Sequence, residues 1–193
     1  MYSSEKTDSG KKLDADFRAF LKERKASVLK KWFCTALESY PADSSTSLRG
    51  KDRFANPVGY ILSHGMEGVL DALIEGGSRR DLDAAMEEMI KVKAVQDFSA
   101  SEAVSFIFEL KGVVRDEMAA SRGALDIETL DRAVDALVLS AFDLFMRSRE
   151  KIYDLKANEA RNMTFRLLKM ANLVCDIGET KDGDNGKSPQ KER

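Results

Sequence analysis

Between Asp126 and Gly178 the sequence contains no residue that stops a helix: no proline, no glycine and no cluster of turn-forming side chains. At 1.5 Å per residue an unbroken helix over this span extends roughly 75 Å, far more than a small domain needs to cover its core. Up to about Leu144 the stretch is strongly apolar, with Ile127, Leu130, Val134, Leu137, Val138, Ala141 and Phe142, and suits a central core helix. From Arg147 to Arg161 it is mostly charged. Beyond that, Ala160, Met163, Leu167, Met170 and Val174 recur at steps of three and four, the seam of a short coiled coil. A seam that outruns its own domain needs a partner, and the self-complementary choice is the same helix of a second copy in a two-fold dimer. The competing reading is a break near Asn158, with the last part folding back onto the domain.

The rest of the chain is helical by the same reasoning. Its three prolines, Pro41, Pro57 and Pro189, fall at element boundaries, and a proline inside a helix costs about 3 kcal/mol. No alternating strand pattern bounded by tight-turn dipeptides occurs. A first helix is expected from Leu13 to Ser39 on Phe17, Phe20, Leu21, Val28, Leu29, Trp32, Phe33, Ala36 and Tyr40, with Pro41 ending it. Pro57 suits the first turn of a second helix carrying Val58, Ile61, Leu62, Met66, Val69, Leu70 and Leu73, and Gly76-Gly77 closes it. Ser78 with Asp81 caps a third, with Leu82, Met86, Met89 and Ile90 inward and an end near Phe98. Ser99 and Glu102 form a capping box for a fourth, carrying Val104, Ile107, Phe108, Leu110, Val114 and Met118, which stops at Gly123. The expected organisation is a disordered 1–12, a helical domain over 13–146, a projecting dimerisation helix over 147–175 and a disordered tail over 176–193.

Composition excludes several classes of function. With 33 acidic against 31 basic side chains in 193 residues, nothing pulls the chain as a whole toward nucleic acid. No run of about 18 uncharged apolar residues predicts membrane insertion, and the N-terminus lacks the apolar stretch of a secretion signal. Cys34 and Cys175 form neither a disulfide framework nor a zinc site. A cytoplasmic location follows as the expectation. Charge is nonetheless uneven: Lys11 to Lys31 holds eight basic and three acidic residues, Arg147 to Lys169 seven and three, and Glu67 to Ile90 two and seven. Such stripes either dock an oppositely charged surface or are solvated helix faces.

Catalytic motifs are missing: no G-x-S-x-G, no phosphate-cradling glycine loop, no H-E-x-x-H and no EF-hand spacing. Paired acids such as Glu87-Glu88 point in different directions on a helix, and no basic pair activates Cys34. Metal and cofactor sites are not expected. His64, the single histidine, lies on the helical wheel opposite Leu62, Met66, Val69 and Leu73, so it faces solvent or a partner rather than an apolar haem pocket. The string His64-Gly65-Met66-Glu67-Gly68 places a glycine four residues after an exposed histidine, as in histidine phosphotransfer domains, which makes His64 the alternative phosphoacceptor. Those domains usually carry a lysine where this chain has Glu67, whose charge repels a phosphoryl group. Methionines at core positions, Met86, Met89 and Met118, fill gaps or line a pocket for an apolar ligand.

Three stretches carry a family resemblance: KDRFANPVGYIL (Lys51 to Leu62), KAVQDFSASEAVSFIFELK (Lys93 to Lys111) and MRSREKIYDLKANEARNMTFRLL (Met146 to Leu168). They resemble the N-terminal domain of the RsbR and RsbRD proteins, the RsbT co-antagonists of bacterial stress signalling, over about Phe17 to Val174. The resemblance implies an all-α, globin-like but haem-free sensory bundle of about five helices. It is dimeric, with an extended C-terminal helix leading to a STAS or kinase output domain. Here the helix leads into a polar tail, so the expectation is a stand-alone copy without that output domain. The phosphorylation chemistry of STAS modules does not carry over, and no site residue transfers. The resulting reading is a non-enzymatic sensory or regulatory domain. It dimerises through Ala160, Met163, Leu167, Met170 and Val174 and binds a partner protein or small ligand.

Overall fold

The computed structural model describes residues 13–40, 48, 50, 54–96, 98–120 and 127–171. Five helices and no strand occur among them: α1 (Ala15–Leu37), α2 (Pro57–Glu75), α3 (Arg79–Val95), α4 (Ala100–Ala120) and α5 (Ile127–Met170). The all-α class follows directly. Pro41, Gly123, Val174, Cys175 and the two termini expected to be disordered lie outside the described residues.

Local chemistry sets the helix ends. Asp14 caps α1, its carboxylate accepting from the Phe17 amide at 2.7 Å. Asn56 caps α2 through Gly59, and Pro57 takes the first helical position. At the other end Gly76 adopts φ 69°, a left-handed turn that only glycine enters without strain. Ser78 and Asp81 satisfy each other's backbone N–H groups in the capping box of α3, and Ser99 with Glu102 does the same for α4. The third helix stops at Val95, three residues short of the expected end, and α1 is two residues shorter than expected at each end.

The chain divides into two compact units, Met1–Ile152 and Tyr153–Arg193. Within the first, α1 packs on α2 and α4, α2 on α3, and α3 on α4. Phe17, Leu21, Val28 and Trp32 meet Leu62, Met66, Val69 and Leu70, then Met86, Met89 and Ile90, then Phe106, Ile107, Leu110 and Val114, all buried. Leu130, Val134, Leu137, Ala141 and Phe145 add the inner face of the first half of α5. Three side chains expected inside lie outside: Phe108, Ile127 and Phe142 are each about two-fifths exposed. On α4 the inward arc is filled by Phe106, Ile107 and Leu110, which leaves Phe108 to lie beside the Lys111 ammonium, 5.6 Å from its ring centre.

Part of the charge asymmetry is consumed inside the bundle. Lys25 of α1 pairs with Asp71 at 2.7 Å and Glu67 at 3.0 Å on α2, and the hydrogen bond to Asp71 chiefly raises its pKa. Glu117 is buried and accepts from Ser27 and Lys31, both at 2.6 Å.

Candidate functional site

Every residue of α5 from Tyr153 onward is exposed in the single chain. The helix passes Asn158 without a break and runs to Met170. Ala160, Met163, Leu167 and Met170, the described members of the expected seam, therefore share one continuous helix with their side chains in solvent. Large apolar groups in water are unfavourable by about 25 cal/mol per Å² relative to a buried position.

The exposed apolar side chains of α5 are not confined to the expected seam. Within the first unit, α5 also exposes Leu139, Phe142 and Met146. In sequence these fall on the same seven-residue register as the seam: Leu139, Met146, Tyr153, Ala160 and Leu167 at one position, Phe142, Arg149, Lys156, Met163 and Met170 at the other. The bulky apolar members of this set are between 39% and 81% exposed. A strict seven-residue repeat drifts about 20° per heptad on a straight helix and is accommodated by left-handed supercoiling with a partner. The spacing 139, 146, 153, 160, 167 stands in the sequence, where the apolar bundle half of the helix masks it.

His64 is exposed on α2, as its wheel position predicts, and its ring stacks on Tyr60 with centroids 5.6 Å apart. Both rings line a groove of about 590 Å³ between α2 and α3, floored by Gly65, Gly68, Ala84 and Ala85 and edged by Glu88. The helices come close enough here that a Cβ on Gly65 would lie 2.4 Å from Met89 Cγ. No described residue hydrogen-bonds the imidazole, and Glu67 is turned to Lys25. Met86, Met89 and Met118 are buried in the core. No group of three metal-ligating side chains occurs among the described residues, and none of their helices is long and apolar enough to cross a membrane.

A second feature escaped the sequence reading altogether. Lys93 is fully buried, and its Nζ has no hydrogen-bond partner among the described residues. Three rings surround it instead, with Phe98, Tyr40 and Phe106 centred 4.4, 4.7 and 5.2 Å away. Burial pulls the amine down to a pKa of about 8 and pushes the neighbouring Tyr40 phenol up to about 12.

Residues 26–160 match the family model described as the RsbT co-antagonist protein rsbRD N-terminal domain. The chain belongs to this family. As an RsbRD N-terminal domain it is a regulatory domain of stress signalling. The match spans the second half of α1 through the first fifth of the second unit and includes Lys93, Arg149 and most of the outward register of α5. Among curated proteins and solved structures, nothing matches the chain.

Proposed function

We propose that this RsbRD N-terminal domain is a non-enzymatic sensory module of the cytoplasm. It pairs with a second copy through the outward register of α5 and relays a bound partner protein or small ligand as a change in that helix pair. One observation carries the reading: the exposed Leu139, Phe142, Met146, Tyr153, Met163, Leu167 and Met170 of α5 share one seven-residue register, whose remaining positions hold Arg149, Lys156 and Ala160. A second α5 covers that pattern side chain for side chain, because a two-fold interface places each patch against its own copy. Lys156 on the seam disfavours a purely apolar, register-free association. A signal that repacks the first four helices would shift the splay or register of the pair, the two-state element that switching requires.

The haem-free, globin-related character that the resemblance implies belongs to this reading, and its haem-free part is supported by His64 standing on the surface rather than in an apolar pocket. Multi-angle light scattering of the full chain tests the pairing. The expected mass is about twice 21.5 kDa, reverting to a single chain in the double variant Met163→Glu, Leu167→Glu. A wild-type monomer at micromolar concentration overturns the proposal.

A further inference from the structure

A lysine without a hydrogen-bond acceptor in a protein interior is costly in its charged form, and such a group persists in a fold mainly where it has a task. Lys93 is on the last turns of α3, and its three rings come from three places. Tyr40 follows the end of α1, Phe98 stands in the connection after α3, and Phe106 is on α4. Tyr40 and Phe98 pack edge to face at 5.2 Å. The rings attract an ammonium through their negative faces, so the cage tolerates the charge, but it does not replace the water that the charge gave up.

Among the described residues, few titratable and charged groups stand near this cage. From the segment after α1 comes the Tyr40 hydroxyl, which donates to Gln96 at 3.2 Å. From α5 comes Arg149, which donates to the carbonyl of Ala94 at 3.1 Å and stacks over Phe145. From the start of α4, Glu102 is occupied by the Ser99 hydroxyl and amide. No carboxylate of a described residue pairs with Lys93.

We propose that Lys93 and the Tyr40, Phe98 and Phe106 rings form a proton-operated latch at the junction of α1, α3 and α4. As the neutral amine, Lys93 lets the rings close. Protonated, it places among them a charge without an acceptor, and the last turn of α3 opens to return that charge to water. The only chemical step is the transfer of one proton between Nζ and bulk water. Opening that turn moves the Ala94 carbonyl and removes the tie to Arg149. The consequence for signalling rests on α5 being the output element proposed above, whereas the latch does not.

The sign follows from linkage. An amine with a pKa of about 8 in the closed state and its ordinary 10.5 in the open state favours closure as pH rises through that interval. Between pH 7.5 and 9.5 the open-to-closed ratio falls about twentyfold. Tyr40 acts in the opposite sense only above about pH 10, so it does not enter this window.

The test is amide hydrogen exchange on the full chain at pH 7.5, 8.5 and 9.5, corrected for intrinsic rates, with emission from the only tryptophan as a second reporter. Trp32 stacks on Phe106 at 6.1 Å and donates to its carbonyl at 2.6 Å, so it senses a wall of the cage. Protection at residues 92–96 should rise about twentyfold across the range in wild type and in Tyr40→Phe. It should be flat, and already high at pH 7.5, in Lys93→Met. Lys93→Gln, neutral but polar, should be flat as well, independently of how methionine packs. A flat wild-type profile, an unchanged slope in both Lys93 variants, or a slope shared equally by amides of α2 overturns the latch. Light scattering on the same samples reports pairing separately, so failure of one idea is not failure of the other.

Discussion

The guanidinium of Arg149 donates to the carbonyl of Ala94 at 3.1 Å, joining α5 to the last turn of α3. That carbonyl is one of the four at the end of α3 with no acceptor role inside the helix, and a charged donor is the strongest partner it can have. Removing the donor with Arg149→Ala should cost about 1–2 kcal/mol in urea unfolding. Arg149→Lys should recover only part of it, since lysine lacks the planar fork that stacks on Phe145.

Replacing Lys93 by methionine keeps the length and flexibility of the side chain and discards a charge that the core does not pair. Lys93→Met should therefore stabilise the fold at pH 7, by up to about 3 kcal/mol. Because the folded pKa lies near 8, below the ordinary 10.5, the wild type gains stability as pH rises through that interval, and the advantage of the variant shrinks accordingly. Denaturation midpoints at pH 7 and 10 check both statements.

Glu117 has the opposite sign. It is buried, and Lys31 first, then Ser27, hold its carboxyl below the usual carboxylate range. Its contribution is present above the ordinary carboxylate pKa and is lost as pH falls through the lowered one. Glu117→Gln should cost about 1.5–3 kcal/mol at pH 7, the range for hydrogen bonds to a charged group, and the difference from wild type should vanish in acid. Thermal melts at pH 7 and pH 3 read this.

Gly65 lies where α2 meets Met89 of α3. A methyl group there would stand 2.4 Å from Met89 Cγ and 2.7 Å from its sulfur, so the methionine must move. Gly65→Ala should destabilise by about 1–3 kcal/mol, because overpacking outweighs the gain in helix propensity. Adding Met89→Ala should give a double variant less destabilised than the two single costs summed, the coupling expected of two side chains in contact. A double-mutant cycle in urea measures that coupling.

Much of this fold can be read from single residues. Asp14, Pro57, Gly76, and the Ser78–Asp81 and Ser99–Glu102 boxes place helix ends by local chemistry, and local chemistry is what a sequence displays. Phe108 was misplaced for a different reason. Phe106, Ile107 and Phe108 are consecutive and apolar, and only the packing of α1 against α4 decides which arc turns inward. Lys93 lies in register with Met86, Met89 and Ile90, so the periodicity does point it inward. The ordinary rule that lysines face water hides it, and one of the rings that make the exception, Tyr40, lies 53 residues away in sequence. The outward stripe of α5 was legible only in its charged second half. In the first half, residues that serve the bundle are interleaved with Leu139, Phe142 and Met146, and both sets look equally apolar.

The central claim is that α5 offers its seven-residue register to a second copy. Light scattering of wild type beside Leu139→Glu and Leu167→Glu, one variant at each end of the register, tests it most directly. The account predicts about twice 21.5 kDa for wild type and a shift toward the single-chain mass in both variants, with the helical circular dichroism of the bundle retained. A wild-type chain that elutes at 21.5 kDa, or a dimer that neither substitution weakens, would contradict it.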